Sequence, residues 1–275
     1  MRLARLLANF LIVPLKPCRV VSRKGIVWRL DLREAIDLSI YLTGYFQRHV
    51  VREIIRVAGE GGVIIDVGAN RGAMALPLAN LLNNHTVIAV EPVASHVEAL
   101  LIALQDNRKI AERIRVFRSY LTTPGGEVPK LVDASWNLYA DREGSRETPA
   151  TKLELGGTTG QCLDDLVKTQ GLSNIRVIKI DVEGEEPSVL RGAEQTLVDS
   201  RPVIIMEWQP HLLRLRGHSV SEFVSRVMSV GYEPYVVRRF RKPRNVSWRN
   251  LLSQTSASSG ELVLIHASNS EKFGF

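Results

Sequence analysis

The sequence predicts an α/β fold: a mainly parallel sheet with helices on both faces. Three observations carry that expectation. Short apolar, β-branched runs recur at 63–67, 86–90, 115–120, 176–180 and 203–207, and helix-period segments fall between them. The composition, 45% hydrophobic and 24% charged over 275 residues, is that of a folded chain with one large core, which excludes a disordered, collagen-like or coiled-coil protein. Finally, the last two apolar runs, 235–237 and 262–265, are joined by a loop and not by a helical pattern. That predicts a C-terminal hairpin adding an antiparallel strand at the sheet edge.

Taken in order, residues 32–57 read as one or two helices broken at Gly44, ahead of the main domain. After Gly59, Gly61 and Gly62, the run 63–67 has the continuous apolar character of a strand buried on both faces. A helix at 73–82 and a strand at 86–90 follow, then a helix at 95–107 that Ser95 would cap, with Glu98 three residues on. Residues 122–158 break the rhythm and are rich in Gly, Pro, Thr, Asp and Glu; so long an irregular stretch reads as a functional loop, a hairpin or a lid. Alternation resumes with helices at 162–169, 187–197 and 220–230 between the later strands. The expected division is an N-terminal helical extension over 1–58 and a main domain over 59–275, with 122–158 as an inserted segment for substrate.

The formal charge of +7 is uneven. Arg2, Arg5, Lys16, Arg19, Arg23, Lys24 and Arg29 precede the first acid, Asp31, and account for the whole excess. A second basic cluster comprises Arg238, Arg239, Arg241, Lys242, Arg244 and Arg249. Leu3, Leu6, Leu7, Phe10 and Leu11 repeat at helical spacing up to Pro14, which reads either as a helix packed on the domain or as an interfacial anchor for an anionic membrane. Aromatics make up 6% of the chain and are not interleaved with the basic clusters, so no nucleic-acid partner is expected. Cys18 and Cys162 form no disulfide framework, and no apolar run approaches the roughly 20 residues of a spanning helix. A reducing, cytoplasmic setting follows as the expectation, with peripheral contact at the inner membrane surface left open; oligomeric state does not follow.

In open parallel sheets, ligands bind beyond the carboxyl ends of the strands. The first main-domain strand ends in Asp66-Val67-Gly68-Ala69-Asn70-Arg71-Gly72. This is neither the G-x-G-x-x-G dinucleotide turn nor a P-loop, which disfavours a nicotinamide dehydrogenase. An acid before the turn would repel a pyrophosphate and suit an ammonium group. The second strand ends in Glu91-Pro92, a carboxylate placed to receive two hydrogen bonds from a ribose diol. An amino-acid end and a ribose in one ligand point to S-adenosylmethionine. At the later strand ends stand Asp181, Glu183, Glu207 and His211. A carboxylate or imidazole there could take the proton of an acceptor hydroxyl, with Asp181 first and Glu183 and Glu207 next; His211 is a substrate-contact candidate. Trp136 and Asn137, in the irregular segment, could meet a sugar ring. These acids could also chelate a divalent cation, although no ligand spacing demands one and no metal ligand is assigned.

With those residues in place, the chain resembles the FkbM family of S-adenosylmethionine-dependent methyltransferases. The resemblance rests on IDLSIYLTG (36–44), VIIDVGANRG (63–72), VEP (90–92), LDDLV (163–167), IKIDVEG (178–184), VLRGA (189–193) and RPVIIME (201–207). It implies a class I, Rossmann-like methyltransferase with a seven-stranded sheet and O-methylation of a hydroxyl on a saccharide, glycolipid or natural product. It also implies that Asp66, Gly68, Ala69, Asn70 and Gly72 hold the methionine end, Glu91 and Pro92 the ribose, and Ser119 the adenine edge. Gln47 departs from the family's usual Glu, and Cys162 from its usual Thr or Arg. The first departure keeps a second reading open: a catalytically inactive protein of the same fold at a membrane surface.

Overall fold

The computed structural model describes residues 17–135, 151–238, 241–253 and 260–273. It opens with an antiparallel hairpin, β1 (Cys18–Arg23) and β2 (Ile26–Asp31), turned by Lys24 and Gly25 at positive φ. Helices α1 (Ala35–Thr43) and α2 (Arg48–Ala58) follow, parted at Gly44, whose φ of +84° and N–H bond to the Ile40 carbonyl end α1. Next come β3 (Gly62–Val67), α3 (Ala75–Leu81), β4 (His85–Val90), α4 (Ala94–Asp106), α5 (Arg108–Ala111) and β5 (Ile114–Phe117). Short strands β6 (Ser119–Leu121), β7 (Leu131–Ser135), β8 (Thr151–Glu154) and β9 (Thr159–Gln161) lead to α6 (Leu163–Thr169) and β10 (Ile175–Ile180). The chain continues through α7 (Glu186–Arg191), α8 (Glu194–Ser200), β11 (Val203–Trp208), α9 (Pro210–Leu215) and α10 (Val220–Ser229). It closes with β12 (Tyr232–Arg238), β13 (Arg241–Asn245), α11 (Trp248–Leu252) and β14 (Gly260–His266).

The central sheet runs β13-β12-β14-β11-β10-β3-β4-β5. The five strands from β11 to β5 are parallel, and β14, β12 and β13 are antiparallel. The C-terminal hairpin is β12 with β14, and β14 slots between β12 and β11. The sheet has eight strands where seven were expected. The additional strand is β13, Arg-Lys-Pro-Arg-Asn, drawn from the second basic cluster. It shows no alternation of apolar residues because it lies at the edge, where lysine, arginine and a proline are the residues that discourage pairing with another chain.

Other differences have local causes. Val93, not Ser95, stands at the N-cap of α4, so Ser95 lies inside the helix without a capping bond. The helix expected at 187–197 is two, α7 and α8, parted around Gly192, where a Cβ would lie 2.3 Å from the Thr122 carbonyl oxygen. At the N-terminus a hairpin precedes the two helices, and within β2 the buried Ile26, Trp28 and Leu30 alternate with Val27, Arg29 and Asp31. The candidate lid contains the β7–β8 hairpin. Trp136, Asn137 and the amphipathic start at 1–16 lie outside the described residues. Among the described residues, no helix is long and apolar enough to cross a membrane.

Alternate residues of each parallel strand feed two cores. Ile64, Val87, Val177 and Ile205 face α1, α2, α3 and the β1–β2 hairpin. Ile65, Ile88, Ile178 and Ile204 face α6, α7, α8 and α10. From β3 the chain proceeds outward through β4 to β5, then returns to place β10 on the other side of β3. The strand order therefore reverses between β3 and β10, and the crevice beyond their carboxyl ends is where this topology binds ligands.

Candidate active site

The turn after β3 is built by close backbone approach. Gly68 has φ +77°, and a Cβ there would lie 2.1 Å from the Asp181 carbonyl oxygen. The Gly68 and Ala69 amides both donate to the Val90 carbonyl, at 2.9 and 3.1 Å. Asn70, at φ +49°, donates its amide to Glu91 Oε2 at 2.8 Å. The Arg71 amide donates to Asn70 Oδ1 at 2.7 Å, and that of Gly72 to the Ala69 carbonyl at 2.9 Å. Every amide from 68 to 72 is thus engaged inside the protein. A turn of this kind has no N–H groups to offer a phosphate, unlike the nests and helix N-termini that bind anions.

Glu91 locks this turn to β4. Only 4% exposed, it accepts Asn70 N–H at Oε2 while Oε1 accepts Val93 N–H at 3.1 Å and lies 3.2 Å from His96 Nδ1. The Pro92 carbonyl accepts the Thr158 hydroxyl at 2.7 Å. Ser119 is buried, and its hydroxyl donates to the Thr159 carbonyl at 3.1 Å and accepts from Gln161 Nε2 at 2.9 Å. Ser119 therefore stitches β6 to β9. Tyr120, beside it, feels Glu185 and Arg216, and burial pushes its hydroxyl up to about 12.

Beneath the turn lies a row of charge. Lys179 and Asp66 are register partners on β10 and β3, and Asp181 follows Lys179 by two residues. Lys179 Nζ lies 3.4 Å from Asp66 Oδ1 and 3.3 Å from Asp181 Oδ2. Asp66 is fully buried, and among the described residues its oxygens make no hydrogen bond of good geometry; Lys179 is the cation that balances it. Burial raises the Asp66 carboxyl, and Glu91 is near enough to add to that rise. Burial alone would lower Lys179, but Asp181 and Asp66 outweigh it and hold the ammonium charged. Asp66 and Glu91 belong to neighbouring strand ends, Asp66 pairing in register with Ala89 two residues before Glu91, and Asp66 is fully buried.

Asp181, Glu183 and Glu207 converge at the ends of β10 and β11, each with a carboxylate oxygen within 4.8 Å of the others. Burial, then Asp181, pushes Glu183 up to about 8. Burial likewise raises Glu207 well above the usual carboxylate range, aided by Asp181 and Glu183 and opposed by a hydrogen bond from Gln209. His211 stands half-buried in the first turn of α9, with Nδ1 shielded and without a hydrogen bond among the described residues.

The N-terminal helices reach this site through Arg71, whose Nη1 lies 2.9 Å from Asp37 Oδ2 on α1. Asp37 also accepts the Asp31 amide at 2.7 Å. Burial pushes its carboxyl up to about 6 from 3.8, although Arg71 opposes the rise. The native state then binds this proton more tightly than the unfolded chain. Stability from Asp37 is fully present below the lower value and is lost as pH rises through the higher one. Asp37→Asn removes that dependence, so the stability of wild type relative to the variant should fall by roughly 3 kcal/mol at most between about pH 4 and 7. Urea midpoints of both proteins across that range check it; a constant difference would contradict it.

Lys179, Arg71, His96, Asp37 and Glu186 are site residues to which the sequence reading assigns no role. Lys179 could have been found from strand period alone, since residues two apart on one strand share a face with the register partner next door.

Comparison with known proteins identifies the family. The family model described as "Methyltransferase FkbM domain" matches residues 66–234, more than half of the chain. A curated relative, the hexuronic acid methyltransferase AglP of Haloferax volcanii, is 27% identical over 183 residues, covering 65% of this chain and 65% of its own length. The chain thus spans just under two thirds of that relative. A solved FkbM methyltransferase from Methylobacillus flagellatus superposes with TM-score 0.46 and 15% identity, over 75% of this chain and 44% of that one. A solved S-adenosylmethionine-dependent O-methyltransferase from Thermotoga maritima gives TM-score 0.43 and 12% identity, over 91% and 78%. From its 66–234 match, which takes in the turn, Glu91 and the strand-end acids together, the chain belongs to the FkbM methyltransferase family.

Proposed function

We propose that the chain transfers a methyl group from S-adenosylmethionine to a hydroxyl oxygen of a saccharide or glycolipid. The observation that carries this reading is the charge of the crevice. Its turn amides are engaged internally with Glu91 closing the turn, Lys179 lies between Asp66 and Asp181, and Asp181, Glu183 and Glu207 converge at the ends of β10 and β11. Such a site suits a cationic ligand and repels a pyrophosphate. When bound, S-adenosylmethionine would supply an electrophilic methyl on a positively charged sulfur.

The protein's own part is to bind, orient and accept a proton. The turn at 68–72 would back the methionine end, and Glu91 would meet the ribose, its orientation fixed by Asn70, Val93 and His96. Asp181 lies 3.3 Å from the Lys179 ammonium and is the group we assign to take the acceptor proton as the methyl moves. Glu183 and Glu207 would flank the acceptor oxygen. The name of the Haloferax relative, a hexuronic acid methyltransferase, supports a saccharide acceptor.

Isothermal titration with S-adenosylhomocysteine tests the cofactor half. Binding to wild type is expected, and Glu91→Gln should weaken it roughly 10- to 100-fold, the loss of a charge-assisted pair of hydrogen bonds. No binding by wild type would reject the reading, whereas an unchanged affinity in Glu91→Gln would move the ribose contact elsewhere. Incorporation of a labelled methyl group into fractionated glycans and lipids tests the acceptor half.

A further inference from the structure

We propose that Asp181, Glu183 and Glu207 bind a hard divalent cation, magnesium or manganese, at the acceptor side of the crevice. Each side chain offers one carboxylate oxygen, and the three oxygens lie within 4.8 Å of one another. Ligand oxygens around one such ion, at metal–oxygen distances of about 2.0–2.5 Å, are themselves about 3–5 Å apart. The cluster is half-buried: Glu207 lies in β11, and Asp181 and Glu183 lie in the turn directly after β10.

A separate observation points to a missing cation. Glu186 is 2% exposed, and its Oε1 accepts the Val182 and Gly184 amides, at 3.3 and 3.4 Å. Those two amides flank Glu183, so the carboxyl group sits inside the turn that presents Asp181 and Glu183. Its other oxygen, Oε2, is buried and has neither a hydrogen bond nor a salt bridge among the described residues. A buried carboxyl oxygen left without a partner in the turn that carries two of the three ligands is costly.

Among the described residues, no salt bridge reaches the carboxylates of Glu183, Glu186 or Glu207. Lys179 divides its charge between Asp181 and Asp66, and Arg216 places Nη2 on Asp133 at 2.7 Å and Nε on the Glu183 carbonyl at 3.2 Å. The donor set is all oxygen, with no thiolate or imidazole among the three, which selects magnesium, manganese or calcium over zinc or copper. Three carboxylates leave coordination positions open. A neighbouring pair of acceptor oxygens could fill them, which would position a sugar diol and lower the pKa of its hydroxyl. That positioning role rests on the proposed methyl transfer; the cation site does not.

Manganese provides the test, because its EPR signal reports the bound ion directly. Titration of the full chain with Mn²⁺, in the absence of cofactor, is expected to show saturable binding to a single site that Mg²⁺ displaces. Glu207→Gln and Glu183→Gln should each weaken it by on the order of 10-fold or more through loss of one charged ligand. Near-UV circular dichroism and S-adenosylhomocysteine titration show that the variants fold. Absence of saturable Mn²⁺ binding, or unchanged affinity in both folded variants, overturns the site. If Mn²⁺ binds and S-adenosylhomocysteine does not, the site stands and the methyl-transfer reading falls; the reverse result removes the site alone.

Discussion

Replacing Asp181 with asparagine is expected to cut methyl transfer by a factor on the order of 10²–10⁴, while the affinity for S-adenosylhomocysteine stays within about threefold of wild type. The structure explains why the two readouts should separate. Asp181 is joined to the fold through its backbone, its amide donating to the Val67 carbonyl at 3.1 Å, and asparagine keeps that bond. Lys179 loses one partner but remains 3.4 Å from Asp66, so no buried charge is left alone. On the proposed reading, what disappears is the carboxylate oxygen assigned to take the acceptor proton. Single-turnover transfer of labelled methyl, set beside the titration, checks the result. Equal losses in transfer and cofactor affinity would mean that Asp181 shapes the cofactor site and takes no proton.

The legible parts of the fold are those in which burial dictates residue type. Strands β3, β4, β10 and β11 are covered on both faces, so they are mostly apolar, and they stand out from a chain of ordinary composition. Elements with one wet face are harder to see. In β2 the buried Ile26, Trp28 and Leu30 keep strict alternation, but only six residues long and next to a basic run, that strand reads as a solvated charged stretch. Strand β13 has no apolar face at all, and its existence depends on β12 offering an unpaired edge.

The site divides along a similar line. The placement of the turn and Glu91 can be read because each follows a buried strand, and strand ends are visible in the sequence. The balance of charge is not visible. Asp66 looks like a ligand-facing acid until Lys179 is found beside it, and Arg71 looks like a surface residue until Asp37, 34 positions earlier, is seen to hold it. Glu186 reads as a helix-start acid, yet its carboxyl turns back into the 181–184 turn. Contacts of this range depend on how helices land on the sheet, which period and composition do not encode.

Gly68→Ala is expected to destabilise the protein by about 3 kcal/mol or more and to abolish cofactor binding with it. Two costs combine. At φ +77° an alanine sits in the left-handed region, at about 1–2 kcal/mol. Its Cβ would also lie 2.1 Å from the Asp181 carbonyl oxygen, well inside contact distance. That oxygen is backbone, and it cannot swing aside as a side chain would, because the Asp181 amide is tied to Val67. Relief requires β3 and β10 to part at the point where Lys179 bridges Asp66 and Asp181, so the strain goes directly into the charged floor of the site. Gly125→Ala separates the two costs, since Gly125 has φ +71° with nothing within 4 Å of its would-be Cβ. Urea unfolding should show the Gly125 variant losing only about 1 kcal/mol and retaining S-adenosylhomocysteine binding. If the Gly68 variant matched it in both respects, the close approach of the two strands could not be what holds the turn and Asp181 in place.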